Sequence, residues 1–136
     1  MARKKKKKNK KKISSSLAKT RTFKIENPVW SYVIFVRVGG SDEQAAKATD
    51  KLFGSNFHDD GPGLDAAGRC FLPGGEKSHV IWFKNIPGVG LLSHESFHSV
   101  HHVLQLSGLA LNNETEEAYA YLLDWTVKEI GFRIWK

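Results

Sequence analysis

The chain of 136 residues contains a single cysteine, Cys70. An intramolecular disulfide is therefore excluded, and the usage suits a reducing compartment. No run of eighteen apolar residues occurs, so no membrane-spanning helix is expected. The basic N-terminus lacks the apolar stretch that a secretory signal carries behind its charges, which points to a cytoplasmic protein. Positive charge is scarce too, once the first twelve residues are set aside. The net charge is +7, yet Arg3, Lys4 to Lys8 and Lys10 to Lys12 alone supply nine basic residues. The twelve basic side chains that remain meet fourteen acidic ones, a balance of −2.

Two regions follow from this distribution. Residues 1–20 hold almost nothing that a core would bury, and their like charges repel, so a disordered lysine-rich tail is expected there. The tail has no aromatic residue among its lysines. Any contact with nucleic acid or another polyanion should accordingly be nonspecific and driven by counterion release. Residues 21–136 are long enough to bury one core and form the folded domain.

Within that domain the pattern alternates between strand and helix. Phe23 to Asn27 reads as a short strand that Pro28 interrupts. Ser31 to Val38 is β-branched, aromatic and nearly continuous, the pattern of a buried strand. After Gly39 and Gly40, Ser41 and Gln44 have capping-box spacing at the head of a helix that Gly54 ends. Residues 55–68 read as a loop, in which Asp60-Gly-Pro-Gly63 marks a turn rather than a ligand set formed by His58, Asp59 and Asp60. Arg69 to Leu72 and Ser78 to Lys84 suggest a hairpin around Pro73-Gly-Gly75. Two helices close the chain: one from a Ser93 cap to Gly108, the other from Glu114 to Ile130, with Phe132 to Trp135 as a final strand or core segment.

The first of these helices carries His94-Glu95-Ser96-Phe97-His98, an H-E-x-x-H. Residues four apart share one helix face, so the two imidazoles are spaced to converge on one Zn²⁺ at about 2.0–2.1 Å. Glu95 lies about 100° further round, placed to take a proton from a metal-bound water. A third ligand must come from elsewhere, and Glu114, Glu116 and Glu117 open the next helix. His101 and His102 are read as surface or supporting histidines; His102 is about 12 Å along the axis from His94.

A helix with H-E-x-x-H followed by a helix containing Glu-Ala resembles the gluzincin branch of the zinc metallopeptidases. The second block, Glu117-Ala-Tyr-Ala-Tyr-Leu122, is also similar to that of small uncharacterised bacteriophage proteins. The likeness spans about residues 78–130. It implies His94, His98 and Glu117 as ligands of Zn²⁺, Glu95 as general base, and Ser78 to Lys84 as the strand that binds a peptide substrate at the cleft edge. Metzincins are excluded, because position 104 is Leu where they need His. The expectation is thus an α+β, minimal zincin-like fold: a small, mostly antiparallel sheet packed against three helices. The expected activity is zinc-dependent peptide-bond hydrolysis on a peptide or protein substrate, in the host cytoplasm if the chain is phage-encoded. The alternative is a phage structural or nucleic-acid-associated protein that keeps such a fold without turnover.

Overall fold

The computed structural model describes residues 19–55, 57–58 and 67–136. The lysine-rich segment and the Asp60-Gly-Pro-Gly63 turn lie outside these residues. The chain order is β1 (Arg21–Asn27), β2 (Tyr32–Val38), α1 (Asp42–Phe53), β3 (Phe57–His58), β4 (Gly68–Pro73), β5 (His79–Phe83), α2 (Val89–Leu106) and α3 (Glu116–Ile134). Four strands in the order β1-β2-β5-β4 form a mixed sheet, and two-residue β3 continues it beyond β4. Three neighbouring pairs are antiparallel, but the central one, β2 with β5, is parallel.

The alternation of side chains sorts the two faces. On one face Ile25, Ile34, Val36, Cys70, Ile81 and Phe83 pack against Leu92, Val100 and Leu104 of α2 and Leu122 and Ile130 of α3. On the other, Phe71, Val80 and Trp82 pack against Ala45 of α1. Every residue of β5 is buried, because helices cover it from both sides and strands flank it at both edges. This overturns the expectation that Ser78 to Lys84 borders an open cleft: a strand paired on both edges has no free N–H and C=O row for a peptide to join.

Local signals fix the helix ends. The Ser41 hydroxyl accepts from the Gln44 N–H and the Gln44 side chain accepts from the Ser41 N–H, a complete capping box. Helix α2 starts four residues before Ser93, at Val89 behind a Gly88 cap, and the Ser93 hydroxyl instead donates to the Val89 carbonyl inside the helix. It ends in a Schellman motif: Gly108, with φ of 82°, donates to the Gln105 carbonyl and Leu109 to that of Leu104. Helix α3 runs on through Phe132 to Ile134, where a strand was the alternative expectation. The indole of Trp135 then donates to the Pro87 carbonyl, 3.0 Å away, tying the end of α3 to the start of α2.

Where β4 passes beneath α2 there is no room for a side chain. A Cβ on Gly68 would sit 3.1 Å from the Phe83 ring, 3.2 Å from the Trp82 carbonyl oxygen and 3.3 Å from Cγ of Glu95. Gly68→Ala should therefore destabilise the domain by about 1–3 kcal/mol through overpacking, read as a lower urea midpoint at unchanged m-value. An unchanged midpoint would show that β4 and α2 separate freely.

Candidate functional site

The helical spacing does bring the two motif histidines together. Their Nε2 atoms are 3.2 Å apart and the rings meet at 73°, with His94 exposed and His98 half-buried. A contact of this length requires one ring nitrogen to donate and the other to accept. Glu95 packs above Gly68, between the helix and β4, and is 5% exposed. Its carboxylate lies 3.9 Å from Nε2 of His94, an ion pair only when that imidazole is protonated. Its backbone carbonyl accepts from the buried Cys70 thiol at 3.1 Å.

Glu117 does not join them, and the reason is the register of the helical hairpin. Gly108 turns the chain, and the Tyr119 hydroxyl donates to the Leu109 carbonyl at 2.7 Å. The ring of Tyr119 consequently lies beside His101, at 6.3 Å, while Gly131 lies against Leu92. In an antiparallel pair so aligned, Glu117 stands opposite residues just beyond His102. It belongs to no metal-holding group of side chains among the described residues. Glu117 is exposed in the first turn of α3, beside Glu116, where negative charge complements the helix dipole. Glu114 sits still earlier, in the connecting loop, its N–H donating to the Asn112 side chain.

Among the described residues no group of three or more His, Cys, Asp and Glu side chains is arranged to hold a metal ion. The expected Zn²⁺ site and the water-activating chemistry assigned to Glu95 are corrected accordingly: the motif is present as sequence, but among the described residues the ligand set is incomplete. No family model, no curated protein and no solved structure matches the chain. The resemblance to gluzincins and to small bacteriophage proteins thus gains no support. With the ligand set fall the zincin-like fold, the peptidase activity and the phage assignment. Among the described residues, no helix is long and apolar enough to cross a membrane.

The most constrained polar group of this region is one that the motif did not announce. His79, at the head of β5, is fully buried. Its Nδ1 is 2.8 Å from the Lys77 carbonyl, which can only accept, so Nδ1 carries the proton. Nε2 is then left to accept from the Ser99 hydroxyl at 2.6 Å. His102 stands edge-on to this ring at 5.6 Å and donates through Nε2 to the Glu76 carbonyl. The pair fastens β5 and the turn before it to α2. A histidine in an apolar strand reads as core, and only the i to i+20 contact with Ser99 gives it this role.

Burial pushes the pKa of His79 down from 6.5 to about 4, against the smaller opposing effect of the Lys77 carbonyl. Burial also lowers His102. A histidine whose folded pKa is depressed favours folding above its unfolded pKa, and that stability is lost as pH falls from 6.5 towards 4. Stability to urea should therefore drop by about 1.5 kcal/mol between pH 6.5 and 5, the proton uptake on unfolding rising from about half a proton towards one. A flat profile over that range would contradict the buried neutral imidazole.

Proposed function

We propose that the protein associates with nucleic acid, with Arg3 to Lys12 as the electrostatic contact and residues 21–136 as the domain that carries it. The supporting observation is the segregation of charge: nine of the 21 basic residues lie in the first twelve positions, and the rest of the chain balances at −2. Phosphates along a nucleic acid are dense enough that each lysine bound releases condensed counterions, a gain that needs no defined geometry. A folded domain of slightly negative balance adds no net attraction of this kind, so the long-range attraction belongs to the segment. Its lack of aromatic side chains and of an arginine-rich pattern makes this contact indifferent to sequence. A cytoplasmic location goes with this reading.

Binding of a duplex oligonucleotide should weaken steeply with salt, log K falling against log salt with a slope of up to about −8 if all nine charges engage phosphates. Removing residues 1–12 should flatten that slope towards zero and move the melting temperature by less than about 2 °C. Retention of tight, salt-dependent duplex binding by the shortened chain would overturn the assignment.

A further inference from the structure

The two faces of the sheet are not equally covered. On the α1 side the helix packs over β4 and β5, leaving the outward side chains of β1 and β2 beside it. The result is a cavity of about 450 Å³, within the range of ligand sites. Phe35 of β2 and Ala48 and Leu52 of α1 form its apolar surface, and Lys24, Arg37 and Lys51 stand around it. Among the described residues no carboxylate lines it. The Phe35 ring is half-buried and held edge-on by Phe53 at 5.9 Å and 72°. Nε of Arg37 is buried without a hydrogen-bond partner among the described residues. Lys24 is paired with Glu26 at 3.3 Å, but both side chains are largely in solvent, where such a pair contributes little.

Two observations choose the occupant. An apolar aromatic surface within a ring of cations suits a ligand that alternates planar rings with negative charges. The first described residue also lies near this strand: the Lys19 carbonyl lies against Gly39, 3.1 Å from where a Cβ would stand, two residues beyond Arg37. Thr22 on β1 is paired directly with Arg37. The lysines themselves are repelled by Lys24, Arg37 and Lys51, which excludes the segment as its own occupant.

We infer that the cavity between α1 and the β1–β2 pair binds single-stranded nucleic acid, a base stacking on Phe35 and its phosphates meeting Arg37, Lys51 and Lys24. This rests on the reading of Arg3 to Lys12 as a nucleic-acid contact and adds to it a discrimination that lysines alone lack. Base–aromatic stacking requires an unpaired base, so the cavity favours single strands over duplex. The lysines belong to the same chain and raise the local concentration of nucleic acid around the domain.

The test is fluorescence anisotropy with labelled dT12 and a duplex of equal length, using the full chain and its Phe35→Leu, Arg37→Gln and Lys51→Gln variants. Phe35→Leu should weaken dT12 binding about tenfold and leave the duplex unchanged. Each cation variant should reduce the salt slope for dT12 by about 0.7. Equal losses for single strand and duplex would overturn base stacking. If all three variants bind dT12 like the natural chain while deletion of residues 1–12 abolishes binding, the cavity is overturned and the basic segment's role stands. If the natural chain binds neither probe, both fail. Photocrosslinking of the natural chain to 5-iododeoxyuridine-substituted dT12 guards against a misfolded variant. Adducts should map to β2 or α1, and adducts confined to residues 1–18 would overturn the proposal.

Discussion

The structure depends on the position of β5. Its five residues are buried on both faces, and it pairs in parallel with β2 and antiparallel with β4. A parallel neighbour cannot be reached by a tight turn, so the chain between β2 and β5 must make a long connection. It does so through α1, β3 and β4, which puts α1 on one face of the sheet. Helices α2 and α3 leave β5 directly and cover the other face. From this arrangement follow both the central, inaccessible position of the strand before the H-E-x-x-H helix and the uncovered flank of β1 and β2.

Much of the local structure was legible in the residues. The continuous apolar run of β2 marked a buried strand, Ser41 with Gln44 marked a capping box, and Gly108 marked the end of α2. Each of these signals acts over a few residues. The errors concern what lies further apart. Ser93 was a reasonable cap by residue type, yet the Leu91 and Leu92 positions extend the apolar face and draw the helix back to Val89. The place of β5 within the sheet is a matter of partners 45 residues away, such as Ile34 with His79 and Val36 with Ile81, and no periodicity reports it.

The candidate site divides along the same line. His94 and His98 meet because one helical turn brings them together, a property of sequence spacing alone. The position of Glu117 relative to them is instead set across the α2–α3 hairpin, by the Gly108 turn, the Tyr119–Leu109 hydrogen bond and the packing of Gly131 on Leu92. A Glu-Ala pair nineteen residues downstream carries no information about that register. His79 and Ser99 were overlooked for the converse reason: neither belongs to a recognisable motif, and only tertiary packing pairs them.

The chain thus presents a histidine face on α2 and, across the sheet, a cation-rimmed aromatic cavity. We place nucleic acid on the second of these faces and not on the first. An NMR titration of the full chain with dT12, following backbone amide shifts, reads both at once. Changes are expected in β1, β2 and α1 around Lys24, Phe35, Arg37 and Lys51, with the amides of His94 and His98 unmoved. Shifts gathered on His94 to His98, with those of β2 and α1 unchanged, would contradict it.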